Sequence, residues 1–279
     1  MVRCIALLLA AVLAFFCCAA GGGFAGLSWL WLLPLSFLGC MLGLGILFFL
    51  VLWLSCLLVD MEKPQEKDSL YFRKLVNVAA DVVLWILGMR VHTKGLEQTP
   101  KSGRFLLVCN HFNDLDPVVL LRYFKKSQLA FISKRENAGM FIVGKVMHKL
   151  MCQMINREND REALRTIITC IKMIQEDQVS VAVFPEGYTS RDGLLHPFRS
   201  GVFKIALKTK VPIVVCTVQN TNKVVGNIKK LKPTHIHLHL VGVVQPEQVA
   251  GMSTVEVGNL VHQMMADDLG PDMVLQETP

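Results

Sequence analysis

The hydrophobic pattern divides this chain into two unlike parts. From Cys4 to Val59 not one Asp, Glu, Lys, Arg or His interrupts the apolar residues. A bilayer core about 30 Å thick needs about 20 apolar helical residues, so this run is long enough for two passes. Gly21-Gly22-Gly23 divides it into a short segment, residues 5–20, and a longer one, residues 27–59, in which Pro34 marks a kink or the start. Two spans or a re-entrant hairpin would leave both ends on one side. Lys63, Lys67, Arg73 and Lys74 follow, which the positive-inside rule places in the cytoplasm. Arg3, the apolar core and Cys17 to Gly21 also fit a cleaved signal peptide. The second segment would then stop transfer, and the remainder would still face the cytoplasm.

Beyond residue 62 the pattern changes period. Residues 70–89 carry Leu75, Val76, Ala79, Val82, Val83 and Ile86 at helical spacing, which suits an amphipathic helix lying on a membrane or on the domain. Short β-branched runs then alternate with helical patterns. Strands are predicted at 90–93, 105–109, 129–133, 151–155, 179–184, 212–218 and 235–244. Helices are predicted at 117–124, 138–149, 161–176, 201–208 and 254–268. Such alternation predicts an α/β fold with a mixed, largely parallel sheet flanked by helices. The expected organisation is a membrane-anchoring segment over 1–62 and a cytoplasmic domain over 63–279.

Composition sharpens this picture. Of 29 basic and 22 acidic side chains, only Arg3 lies before residue 60, so the rest of the chain is mildly basic. Nine cysteines form no C-x-x-C pair and no zinc spacing, and read as small buried residues in a reducing compartment. The basic residues lack aromatic interleaving, which argues against nucleic acid. His235, His237 and His239 share one strand face, either as a half-exposed surface or as a metal site. Lys223, Lys229, Lys230 and Lys232 are either a solvated loop or a surface for headgroups or a carrier protein.

Two loops leaving predicted strands hold unusual polar density, where α/β sheets place their sites. In Asn110-His111-Phe112-Asn113-Asp114-Leu115-Asp116-Pro117, His111 and Asp116 are five apart. That is about 140° around a helix and opposite faces of a strand, so only a turn brings them together. Asp116-Pro117 supplies a helix start, with Asp as N-cap. A carboxylate on Nδ1 would fix the tautomer and leave Nε2 as a base; the plain alternative is a capping Asp and a loop His. The second loop, Phe184-Pro185-Glu186-Gly187 through Arg191 to Arg199 and Ser200, has the glycines and positive charge to receive a phosphate-bearing ligand. It is not a Walker loop, and no Gly-x-Ser-x-Gly elbow is present.

Together the loops resemble the 1-acyl-glycerol-3-phosphate acyltransferase family of glycerolipid synthesis, over roughly residues 70–245. Asn110-His111 with Asp116 matches its first motif and Phe184-Pro185-Glu186-Gly187 its third. Lys134, Glu136, Gly144 and Arg157 resemble the second, and Val211-Pro212-Ile213-Val214 the fourth. Where the family has Thr-Arg-Ser after the third motif, this chain has Tyr188-Thr189-Ser190, and Arg191 matches a second arginine. Val215 replaces the fourth motif's second proline, and Asn113 stands where a serine is common. The resemblance implies a glycerolipid-acyltransferase fold behind a membrane hairpin. It also implies fatty acyl transfer from acyl-carrier protein or acyl-CoA to lysophosphatidate, giving phosphatidic acid. His111 and Asp116 would be catalytic. Asn110, Lys134, Glu136, Arg157, Phe184, Pro185, Glu186, Gly187 and Arg191 would bind substrate. No cofactor and no metal is implied; membrane lipid is the partner. Glycerol 3-phosphate, another lysophospholipid or an aminoacyl lipid stand as alternative acceptors.

Overall fold

The computed structural model describes residues 2–24 and 26–275. These fall into two compact units, Met1–Asp60 and Met61–Pro279.

The first unit is a pair of packed helices, α1 (Val2–Ala20) and α2 (Trp29–Leu57). Ala10, Ala14 and Cys18 are the buried residues of α1. Small side chains four apart let two apolar helices approach closely. Among the described residues α2 is the one helix long and apolar enough to cross a membrane, and the apolar part of α1, Cys4–Ala20, is shorter than such a span requires. Pro34 lies inside α2 rather than at its start.

The second unit runs α3 (Leu70–Ile86), β1 (Met89–Lys94), β2 (Leu106–Cys109), α4 (Asp116–Tyr123), β3 (Leu129–Lys134), α5 (Phe141–Lys149) and β4 (Gln153–Ile155). It continues through α6 (Asp160–Gln175), β5 (Ser180–Val183), α7 (Lys204–Thr209), β6 (Ile213–Gln219), α8 (Val224–Lys229), β7 (Thr234–Val244) and α9 (Thr254–Leu269). The strands form one sheet in the order β1-β7-β6-β2-β5-β3-β4. Every neighbouring pair is parallel except β6 with β7. The predicted fold class and all predicted strands are therefore present.

β2 and β5 are buried along their whole length, which is why Leu106-Leu-Val-Cys109 and Ser180-Val-Ala-Val183 show no polar alternation. Leu106, Val108, Val181, Val183, Ile213 and Val215 form one core with Ile167 and Ile174 of α6, Phe203, and Val257, Val261 and Met265 of α9. Several expectations are corrected. The buried stripe of α3 is Phe72, Val76, Ala80 and Leu84; of the expected positions Leu75, Val76, Ala79, Val82, Val83 and Ile86, Val76 alone is buried. α3 uses that stripe on α4, α5 and β1. The predicted 138–149 helix begins as a 3₁₀ turn (Arg135–Gly139) before α5. Gly144 explains the break: a Cβ there would lie 2.2 Å from the Ala138 carbonyl oxygen. The 201–208 helix likewise opens as 3₁₀ (Ser200–Phe203). The six-residue α8 was not anticipated, since Gly226 dilutes its short pattern.

Arg73 is buried as well, so it is not a membrane-flanking charge. Its guanidinium donates to both oxygens of Asp68, at 3.2 and 2.7 Å, and to the Leu129 carbonyl at 2.7 Å. Gln128 adds a further donor to Asp68. The pair ties α3 to the start of β3. Removing one partner strands a buried charge, which costs about 3–5 kcal/mol. Arg73→Ala is therefore expected to lower stability by about that amount, read from denaturant unfolding of the detergent-solubilised protein. The double variant Asp68→Asn/Arg73→Met should lose distinctly less.

Candidate active site

β2, β5, β3 and β4 are consecutive parallel neighbours. Their carboxyl ends therefore open on one edge, and the segments after them, 110–116, 184–199, 135–139 and 156–159, emerge side by side. Parallel pairing is what brings residues 75 positions apart within bonding distance.

Asn110 follows β2 directly and extends its pairing with β6. Its amide donates to the Val218 carbonyl at 2.8 Å and accepts from the Val218 N–H at 2.7 Å. The chain then turns around Asp116. One oxygen, Oδ2, accepts from His111 Nδ1 at 2.9 Å, from Phe112 N at 2.7 Å and from Asn113 N at 2.7 Å. Asp116 does not cap α4 as expected. Leu115 holds the N-cap position, and the carboxylate folds back onto the loop. Oδ1 is buried with no hydrogen-bond partner.

The His111 ring lies on Phe184, with centroids 4.1 Å apart and planes 19° apart. Its Nε2 meets the Thr189 hydroxyl at 3.0 Å. With Asp116 accepting the Nδ1 proton, the neutral imidazole keeps a lone pair on Nε2 that can receive the Thr189 hydroxyl, which also lies 3.4 Å from Asp114 Oδ1. His111 is also held through its backbone: its N–H donates to Glu186 at 2.8 Å, and its carbonyl accepts from Ser190 N at 2.7 Å.

Glu186 joins the two loops. Besides His111 N–H, its buried carboxylate accepts from the Ser190 hydroxyl and from His196 N–H at 3.1 Å. Burial nonetheless pushes its carboxyl above the usual range, and the three donors only partly offset this. The far end of the second loop is fixed by Leu195, which exchanges backbone hydrogen bonds with Met273 and Leu275.

A cavity of about 240 Å³ adjoins this cluster, lined on its apolar side by Ile132, Ile155 and Ile167, among others, and at its polar mouth by Arg157 and Arg199. Phe184, Pro185 and Gly187 also line it. Arg199 packs across Gly187, where a Cβ would lie 2.9 Å from its Cδ, and Gly187 has φ +82°. Glycine is required there twice, by backbone angle and by space. Burial and the like charge of Arg199 lower the Arg157 pKa, with Glu136 acting the other way. Lys134, Glu136 and Arg191 are exposed and do not line the cavity. Arg199 does; its signal in the sequence was only a basic residue in the same loop. Thr189 and Ser190 carried no signal by spacing.

Other candidate chemistry is absorbed locally. Burial pushes Cys152 up to about 11 and Cys170 up to about 12, and raises Cys109 and Cys216 further still. These are protonated thiols, not nucleophiles. His235 pairs with His92 at 2.8 Å, and His239 contacts Asp268 at 3.1 Å. Among the described residues no group of three or more His, Cys, Asp or Glu is arranged to hold a metal ion.

Glu186→Gln keeps the shape but supplies one acceptor oxygen for three donors, so at least one buried N–H or O–H faces an amide NH₂. The expected loss is about 1–3 kcal/mol in unfolding free energy. The raised pKa sets its pH dependence. Stabilisation from the neutral Glu186 carboxyl is full below the ordinary glutamate value and fades as pH rises through the raised one. The stability gap between wild type and Glu186→Gln should therefore narrow as pH rises above the ordinary glutamate range, measured by parallel denaturant titrations.

Residues 90–219 match the acyltransferase family. A 1-acyl-sn-glycerol-3-phosphate acyltransferase of Borreliella burgdorferi is 28% identical over 148 residues, covering 53% of this chain and 58% of that one. A probable 1-acyl-sn-glycerol-3-phosphate acyltransferase of Mycoplasma genitalium is 29% identical over 194 residues, covering 66% and 70%. The chain spans about half the length of the first curated relatives it matches. The crystal structure of the 1-acyl-sn-glycerophosphate acyltransferase PlsC from Thermotoga maritima aligns over the whole of both chains with a TM-score of 0.61 and 22% identity, a likeness of fold. The segment that holds His111, Asp116 and Glu186 is the one that matches the acyltransferase family.

Proposed function

We propose that this protein moves a fatty acyl group from a thioester donor, acyl-CoA or acyl-carrier protein, to the free hydroxyl of a 1-acyl-glycerol 3-phosphate. The observation that carries this reading is the Thr189 hydroxyl 3.0 Å from His111 Nε2. The lone pair that Asp116 leaves exposed already receives a hydroxyl, and the acceptor's hydroxyl takes Thr189's place. In the reaction Nε2 accepts the hydroxyl proton as the oxygen bonds to the thioester carbon. The carbon–sulfur bond then breaks, and the imidazolium returns the proton to the departing thiolate. A thioester needs no enzyme nucleophile, in keeping with buried, protonated cysteines.

Arg157 and Arg199 at the cavity mouth are the groups suited to the acceptor's phosphate. Arg199 serves where Thr189 replaces the arginine expected from the resemblance, while Arg191 stands outside the cavity. Asn110, Phe184, Pro185, Glu186 and Gly187 shape the site. Lys134 and Glu136 border it at the end of β3, with Glu136 acting on Arg157. α2 anchors the chain in the membrane that holds the acceptor. The exposed Lys63, Lys67 and Lys74 favour the cytoplasmic side.

The test is acyl transfer by purified protein to lysophosphatidate, glycerol 3-phosphate, other lysophospholipids and aminoacyl lipids, with both donors compared. His111→Ala is expected to lose about 10²–10⁴-fold in kcat/KM while still folding cooperatively in a denaturant titration. Arg199→Ala should raise KM for lysophosphatidate more than it lowers kcat. Wild-type activity in His111→Ala would reject the dyad, and preference for another acceptor would reassign the substrate.

A further inference from the structure

One edge of the second unit is apolar, basic and unused by the site. α8 presents Val225 and Ile228, and the turn after it presents Leu231, at a spacing of three residues. Leu231 is 95% exposed and has φ +51°, a left-handed conformation that a leucine adopts only when its surroundings impose it. Here they do. The N–H groups of Lys230 and Lys232 both donate to the Asn227 carbonyl, Leu231 N–H donates to Ile228, and the Asn227 side chain donates to Thr234. The turn is built so as to hold a leucine outward.

A second element reaches the same edge from elsewhere in the chain. α3 ends in Trp85 and Ile86, both exposed. The following Gly88 carbonyl accepts from Thr234 N–H at 3.0 Å, directly after the turn. The apolar tips of α3 and of the α8–β7 connection are thus joined through the backbone. Lys223, Lys229, Lys230 and Lys232 lie in or beside α8 and its following turn and are exposed. No acidic residue occurs in the sequence between Asp192 and Glu247.

We infer that this edge, Trp85, Ile86, Val225, Ile228 and Leu231 with these lysines, is a second membrane contact that inserts shallowly into an anionic lipid surface. The apolar side chains protrude rather than line a groove, which suits acyl chains better than a folded protein. A tryptophan at the rim suits the interface. The lysines match anionic headgroups in charge. The inference rests on neither the acyl-transfer chemistry nor the acceptor's identity. It gives the catalytic unit a lipid contact of its own in addition to α2.

The experiment uses the full chain reconstituted in vesicles of phosphatidylcholine with about one third phosphatidylglycerol. Leu231 is replaced by the photocrosslinking residue p-benzoylphenylalanine, and Leu42 of α2 in a separate protein. After irradiation, mass spectrometry of the peptide containing position 231 should show a phospholipid adduct. Its yield should fall about fivefold or more in pure phosphatidylcholine. The same fall is expected when Lys229→Glu, Lys230→Glu and Lys232→Glu are combined. Ile228 replaced in the same way supplies an independent position should the turn not tolerate the probe. Absence of lipid adducts at both 228 and 231, while position 42 reacts, would overturn the proposal. So would adducts formed only with added acyl-carrier protein, which would make the edge a docking site for an acidic protein.

Discussion

A single carboxylate oxygen organises the site. Asp116 Oδ2 gathers two backbone N–H groups and the imidazole Nδ1–H of His111. The turn after β2 and the orientation of the ring therefore share one anchor. The two amides would otherwise be orphan donors in a buried turn, so the geometry that fixes the tautomer also lets the loop fold. Oδ1 takes no partner, which concentrates the carboxylate's hydrogen bonding on one side. Stability of the loop and basicity of Nε2 are consequently coupled.

Glu186 repeats this logic across the sheet. It reaches from the β5 loop to the backbone of His111, while Ser190 N–H returns a bond to the His111 carbonyl. The His111 imidazole is thus clamped by its ring on Asp116 and Phe184 and by its main chain on the opposite loop. A buried carboxylate is a costly clamp, as its raised pKa records. Three donors hold it nonetheless, because adjacent parallel strands β2 and β5 deliver both loops to one edge. Fold topology supplies the proximity and the hydrogen bonds supply the precision.

How much of this could be read from sequence follows from the range of each interaction. Strands 106–109 and 180–183 were legible because buried parallel strands are short, nearly unbroken apolar runs. The His111–Asp116 pair was legible because five residues and a proline constrain a turn. The Asp116 N-cap role was misread, since capping and loop closure place the same residue at the same spacing, and only the packed turn chooses between them. Glu186 bridging to His111 N–H spans 75 positions, which no local pattern encodes. α8 and the 3₁₀ starts of two helices were illegible because they are shorter than the helical period needs to declare itself.

The position of Arg199 shows how a local departure is absorbed by tertiary geometry. At position 189 a hydroxyl stands beside the imidazole, and a guanidinium there would compete with an acceptor for the same space. Arg199 instead crosses Gly187 from the far end of the loop, whose main chain is tied by Arg199 N–H to the Pro185 carbonyl at 2.8 Å. Burial lowers the Arg157 pKa, and the charge of Arg199 adds to that effect. Two like charges lining one cavity raise each other's electrostatic energy, and nearby negative charge lowers it. Asp160 lines the same cavity and Glu136 acts on Arg157, so carboxylates already in place partly balance the two guanidiniums.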